Sequence, residues 1–192
     1  MNTGMRAALR WLGTLVAALA ILGVAAGCPV PMTITPRPPG TDGSARWAFG
    51  IAQPRIAAIA GDAELRTIIG SSVTLDGRLP ANTGSWSFVA WSPTRSTIQV
   101  TVSFDGTTSA AQRNEAAPGP GIQVPMPASW ADSIQVYAAT SGHRGAGATF
   151  AQLAMLNVVS YAQTPGKATW GINFNAPPNQ LVALDGTYIG PE

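Results

Sequence analysis

The chain has 192 residues, of which only 10% are charged, and a formal net charge of +2. Arg6 and Arg10 account for that excess: from residue 28 onward the nine basic side chains, eight Arg and Lys167, equal the nine acidic ones. A nucleic-acid surface needs a basic patch to neutralise phosphates, and no run of Lys or Arg exists, so nucleic acid is not an expected partner.

The first element in chain order is an export signal. Arg6 and Arg10 precede an uncharged stretch, Trp11 to Gly27, which ends in Val24-Ala25-Ala26-Gly27-Cys28. A basic start, an apolar middle and small residues at the cut describe a secretory signal peptide. Small residues directly before a cysteine resemble the lipobox of bacterial lipoproteins, with Ala25 where leucine is commoner. In that family the cysteine, here Cys28, receives a diacylglycerol, the peptide is cut before it, and the new N-terminus is acylated. A membrane span and an ordinary cleaved signal are the other readings of the segment, which sits near the lower length limit for a spanning helix. Cys28 is the single cysteine, so no disulfide forms within the chain. The resemblance implies a protein exported and lipid-anchored to a bacterial membrane, either the outer membrane or the cell surface.

Residues 28–43 form the tether. Pro29, Pro31, Pro36, Pro38 and Pro39 favour extended polyproline II at about 3.1 Å per residue, enough to hold a domain up to roughly 45 Å from the membrane. A first module is expected over 44–107, a Pro- and Gly-rich linker over 108–127, and a second module over 128–192. In the first module Pro54 starts or kinks a helix that runs to Gly61. Trp86 and Phe88 then lead through a turn at Pro93 to Ile98, Val100, Val102 and Phe104. Those apolar residues alternate with polar ones, the period of a half-buried strand, and the run ends in Asp105-Gly106-Thr107. In the second module Ser129 with Asp132 forms a variant capping box for a helix over 129–141 stopped by Gly142. Trp170, Ile172 and Phe174 lead through Pro177 and Pro178 to Leu181, Val182 and Leu184, closed by Asp185-Gly186-Thr187. The two modules read as an internal repeat. Residues 150–161 fit a helical stripe and a strand equally well.

This pattern resembles the PepSY-like domain of exported bacterial proteins, a helix packed on a small antiparallel sheet. The matching residues are Asp132, Ser133, Ala138, Ala139 and Gly142, then Trp170, Ile172, Phe174, Val182, Leu184, Asp185 and Gly186. In the first half they are Asp62 to Leu65, Asp76, Gly77, Trp86, Phe88, Val102, Phe104, Asp105 and Gly106. Both halves depart from the family's closing Asp-x-x-Thr-Gly, because here Gly follows Asp directly. The resemblance implies an α+β fold of two tandem modules and a non-catalytic envelope role, protein-binding or peptidase-modulating. It supplies no catalytic residues.

The residues themselves give little for an enzyme to work with. His143, the single histidine, lies in a Gly-rich loop, and a nucleophilic enzyme would have to use it as the base beside its nucleophile. Gly-x-Ser-x-Gly and Ser-x-x-Lys are absent. Zinc takes several His or Cys ligands, so no metal and no cofactor is expected. Asp62 and Glu64, a close acidic pair, read as helix-end caps. Trp86 and Trp170 are in phase with apolar neighbours and belong to the core. Trp91 is out of phase and is the candidate for an exposed partner or ligand contact. The leading reading is a non-enzymatic envelope lipoprotein with a protein partner; the alternative is a peptide- or glycan-binding lipoprotein with a groove between the modules. A hydrolase dependent on His143 comes last.

Lipidation is directly testable. Replacing Cys28 with Ser is expected to release the protein from the membrane fraction or to leave the precursor uncut. Normal processing together with unchanged sedimentation would defeat the reading.

Overall fold

The computed structural model describes residues 40–119, 122–158 and 161–192. The signal segment, Cys28 and the tether as far as Pro39 lie outside the described residues. The described residues belong to one compact unit, an α+β arrangement of two helices and one sheet. In chain order it comprises α1 (Ala45–Ile59), β1 (Glu64–Thr74), β2 (Ser85–Ser92), β3 (Ser96–Ser103), β4 (Thr108–Arg113), α2 (Ser133–Ala139), β5 (Phe150–Val158), β6 (Ala168–Phe174), β7 (Gln180–Ala183) and β8 (Tyr188–Pro191). The eight strands form one antiparallel sheet in the order β4-β3-β2-β1-β5-β6-β7-β8. Each half is therefore a four-strand meander preceded by a helix. The halves join edge to edge where β1 pairs with β5, from Ile68 opposite Leu156 to Thr74 opposite Phe150.

Several sequence expectations change. The first helix is longer than expected, because Ser44 caps it by accepting a hydrogen bond from the Trp47 N–H at 3.2 Å. Pro54 sits inside the helix instead of starting it. It lies on the exposed side, where the Gly50 carbonyl left without its partner can turn to water. The second helix is shorter than 129–141. Its cap is Asp132, in a capping box with Gln135, and not Ser129. Residues before it are held in other contacts: the Ala131 N–H donates to the Leu184 carbonyl at 2.7 Å and the Trp130 carbonyl accepts from Arg46. Residues 150–158 are strand, because β5 lies between β1 and β6 and both its sides are paired. The stretch expected as a linker begins with strand β4, so the Asp105 and Asp185 turns do not close the halves. Each leads into a further strand.

Both helices lie on the inner face. Helix α1 buries Ala45, Ala48, Ala52 and Ile56, the three-and-four spacing of one helical stripe. Small alanines let it approach β2 and β3 closely. Strands β2 and β3 contribute Trp86, Phe88, Ala90, Ile98, Val100 and Val102, all fully buried. The second half contributes Leu156, Trp170, Ile172 and Val182, also fully buried. Aromatic rings run continuously through this core. Phe88 meets Phe49 with ring centres 5.3 Å apart, Phe49 meets Trp130 at 5.9 Å, and Trp130 meets Trp170 at 6.3 Å. Trp170 then meets Trp86 edge to face, also at 6.3 Å.

The N-termini of the two helices meet. The Ala45 N–H donates to Ser133 Oγ at 2.9 Å, and that hydroxyl donates to the Gly77 carbonyl at 2.6 Å. The Asp132 carboxylate accepts from the Arg46 N–H at 3.0 Å and the Ser133 N–H at 2.7 Å. One carboxylate thus faces the positive ends of two helices. Gly77 must be glycine: its φ is +80°, and a Cβ there would overlap the Ser133 backbone. Gly70 is equally constrained. Strand β1 places it opposite Trp86, and a Cβ there would fall inside the indole ring's van der Waals shell.

A double-mutant cycle tests this packing. Trp86→Ala is expected to cost about 3–5 kcal/mol, as large aromatics in cores do. Gly70→Ala alone is expected to cost about 1–3 kcal/mol through overpacking. In the Trp86→Ala background that second penalty should largely vanish; urea denaturation finding the two effects additive would show that they do not share this contact.

Candidate functional site

The two ends of the sheet are chemically unlike. Strand β4 pairs with β3 over Thr97 opposite Arg113 to Val102 opposite Thr108, and no described strand pairs with its other side. Its residues are Thr108, Ser109, Ala110, Ala111, Gln112 and Arg113, all exposed except the half-buried Thr108. Alternate backbone groups of an edge strand point outward unpaired, a template for another extended chain. Natural edges are usually blocked by Pro, Lys or a bulge. Strand β4 carries none of these and a single charge, Arg113. The opposite edge is blocked: β8 contains Gly190, with φ of +154°, and Pro191, which has no N–H to offer. The ring of His143 is also stacked on Tyr188 of β8, with centres 3.9 Å apart and planes 6° from parallel.

The structure gives His143 a packing role. The Gln180 amide ties the two stacked residues together, donating from Nε2 to the His143 carbonyl at 2.8 Å and accepting at Oε1 from the Tyr188 hydroxyl at 2.6 Å. Among the described residues no hydroxyl or carboxylate hydrogen-bonds the His143 ring nitrogens. Its neighbour Arg144 donates to the Leu75 carbonyl at 2.9 Å and to the Tyr137 carbonyl, with its guanidinium 5.4 Å from the Phe174 ring centre. The Gly-rich loop approaches the Pro177 backbone closely at Gly145, where a Cβ would collide with the Pro177 carbonyl.

Trp91 stands on the outer face, half-buried, opposite Glu64 on β1 and Thr97 on β3. Its indole nitrogen is buried without a partner among the described residues, and the Arg66 guanidinium lies 5.7 Å from its ring. Asp62 and Glu64 do not share a site. The Asp62 carboxylate accepts from Ser92 Oγ at 2.7 Å and from Thr94, and so caps the β2–β3 turn. Glu64 pairs with Arg66 at 2.7 Å. Hydrogen bonding from Ser92, the largest influence, holds the Asp62 carboxyl below its usual range. Among the described residues no group of three or more His, Cys, Asp or Glu is placed to hold a metal ion. Cys28 lies outside the described residues.

The sheet also carries a recess of about 750 Å³ where β5 and β7 end and β6 begins, walled by the 124–131 segment. The sequence located the residues of neither the recess nor the exposed edge. A signal for the edge was present: Asp105-Gly106-Thr107 is a hairpin turn, and six residues without Pro or Gly follow it. The recess left no such signal, because its walls come together from distant parts of the chain.

No protein-family model and no curated protein matches the chain. A solved structure does share the fold. It is a Clostridium difficile 630 protein described as a "putative lipoprotein", superposable with a TM-score of 0.51. Sequence identity is 9%, over 73% of this chain and 89% of that one. At that identity the likeness is one of fold. Among the described residues no helix is long and apolar enough to cross a membrane.

The hairpin turns give a pH test. Asp105 accepts from the Thr107 backbone at 2.9 Å and Asp185 from that of Thr187 at 2.9 Å. These backbone hydrogen bonds, followed by the threonine side chains, hold both carboxyls below their ordinary range. A carboxyl depressed in the folded state stabilises above its unfolded pKa, about 3.9, and that contribution is lost as pH falls through the folded value. Replacing Asp105 and Asp185 together with Asn is expected to flatten the fall in urea midpoint below about pH 4; a slope equal to wild type would remove these turns from the acid response.

Proposed function

We propose that this chain is a non-enzymatic, lipid-anchored envelope protein of two tandem PepSY-like modules that binds an extended segment of a protein partner by strand addition along β4. The observation that carries the reading is the contrast between the edges: β8 is interrupted by Gly190 and Pro191, whereas β4 is exposed and carries neither. Main-chain hydrogen bonds supply affinity in such complexes, and alternate side chains supply selectivity. The small side chains of Ser109, Ala110 and Ala111 leave the backbone accessible. Arg113, the one charge on the strand, suits an acidic residue on the incoming segment.

The tandem reading rests on each half of the sheet being a meander that follows a helix. The lipid anchor rests on Ala25-Ala26-Gly27-Cys28. The non-enzymatic part rests on the engagement of His143 in a stack instead of beside a nucleophile. A peptidase is the partner class that the PepSY-like resemblance implies.

The experiment is crosslinking in intact cells with identification of the captured protein. Ser109→Lys with Ala111→Lys places two charges on the edge and leaves β4's pairing with β3 in place. Capture is expected to fall several-fold in this variant and to stay at wild-type level in His143→Ala. Unchanged capture by the edge variant would sink strand addition. A hydrolytic turnover in purified protein that disappears with His143→Ala would sink the non-enzymatic reading.

A further inference from the structure

We propose that the recess at the foot of β5–β7 binds the alkyl chain of a single-chain amphiphile with a carboxylate head. This site is separate from the β4 edge and stands whether or not β4 takes a partner. Its volume, about 750 Å³, falls within the roughly 300–1,000 Å³ of small-molecule sites. Val124, Pro125, Pro127, Trp130, Val158 and Leu184 make its walls apolar. Val124 is 48% exposed, the one large apolar side chain so exposed among the described residues, and it stands at the mouth. An apolar ligand covering it would remove from water the surface that folding leaves there.

The polar groups around the recess leave little for a glycan or an extended peptide. The Ala183 N–H already donates to the Thr187 carbonyl, the Leu184 carbonyl already accepts from Ala131, and the Lys167 N–H donates to Thr164. The Thr164 and Thr169 hydroxyls are spent on each other at 2.8 Å. Trp130 offers no stacking platform for a sugar: it is 5% exposed, and the Arg46 guanidinium covers it 3.8 Å from the ring centre. What remains is an apolar slot with cations at its rim. Lys167, the single lysine of the chain, is exposed there and forms no ion pair among the described residues. Arg46 adds a second positive charge, held in place by its bond to the Trp130 carbonyl. Asp185 stands on the same rim and repels an anion, so the two cations, Lys167 first because it is uncommitted, are the groups left to take the carboxylate.

The test is titration calorimetry with laurate below its micelle concentration, on the chain from residue 28 onward carrying Cys28→Ser so that its own lipid cannot compete. Dodecanol provides the same chain without the charge, and vesicles containing anionic lipid provide the charge without a free single chain. Saturable one-to-one binding of laurate, tighter than dodecanol and absent from vesicles, is expected. Lys167→Ala should weaken laurate about fivefold, the upper range for an exposed ion pair, and leave dodecanol unchanged. Val124→Asp should weaken both ligands about tenfold or more by placing a charge in the mouth. Both substitutions are at exposed positions, so thermal unfolding should match wild type and separate lost binding from lost folding. No saturable binding of laurate would overturn the proposal. So would wild-type affinity in both variants, which would place the ligand elsewhere, or binding to vesicles alone, which would make this a lipid-surface contact.

Discussion

The edge-to-face contact of Trp86 with Trp170 holds the two halves of this molecule as one body. The indoles project from β2 and β6, and two strands, β1 and β5, lie between those in the sheet. They meet above these strands, where the row beside Trp86 is small while Leu156 stands opposite Trp170. Gly70 lies under Trp86, and Ala154, its partner on β5, follows. Backbone pairing alone would join the halves through a single ladder. The aromatic contact adds buried area across the seam, where each ring removes about 150–250 Å² from water. Trp130 extends the cluster toward α1 through Phe49, so helix, connection and both half-sheets share one core. The Trp86 indole N–H donates to the Gly43 carbonyl at 3.1 Å, which ties the residues just before α1 to the same point. The corresponding Trp170 nitrogen is buried without a hydrogen-bond partner among the described residues.

Low charge shapes the rest of the molecule. Only three ion pairs occur among the described residues, and two of them involve Arg78. Hydroxyls and carboxylates do the local work instead. Asp132 and Ser133 join two helix starts to the β1–β2 turn, Asp62 secures the β2–β3 turn, and Asp105 and Asp185 brace the hairpins into β4 and β8. Each carboxylate accepts from backbone or hydroxyl donors, close to it in sequence for Asp105 and Asp185, and distant in sequence for Asp132 with Arg46 and Asp62 with Ser92. Such bonds position the chain without relying on exposed salt bridges, which are worth little in water. On the outer face Ser71 meets Ser85, and Ser87 meets Thr101, at 3.2 and 2.8 Å. Hydroxyls therefore make that part of the face polar, and the Glu64–Arg66 pair beside Trp91 adds its charges.

The same economy separates structure from candidate function. His143, the obvious suspect for chemistry, is stacked on Tyr188, and Arg144 beside it is committed to carbonyls of neighbouring elements. The uncommitted features are the backbone of β4 and the rim of the apolar recess with Lys167. One offers unpaired backbone and the other an apolar hollow with cations at its rim.

Much of the architecture was legible without coordinates. Period-two alternation marked β3 and β6, Asp-Gly pairs marked the turns, and both core tryptophans were evident because their phase matched apolar neighbours. Those signals are local, since a strand with one buried face must alternate and a tight turn must contain residues that tolerate it. What the sequence left open depended on neighbours distant in the chain. Residues 150–158 became strand only because β1 and β6 offered pairing on both sides. The 108–113 segment joined the sheet because β3 had an unpaired edge, although its alanines carry little strand preference of their own. Trp91 was pinned half-buried by Arg66, and the recess was assembled from α1, the 124–131 connection and strand ends. Composition and local phase therefore determined which faces are apolar and where the chain turns. Tertiary pairing alone decided which edge stays exposed and which side chains converge, because burial and hydrogen bonding there are satisfied by partners that no local window contains.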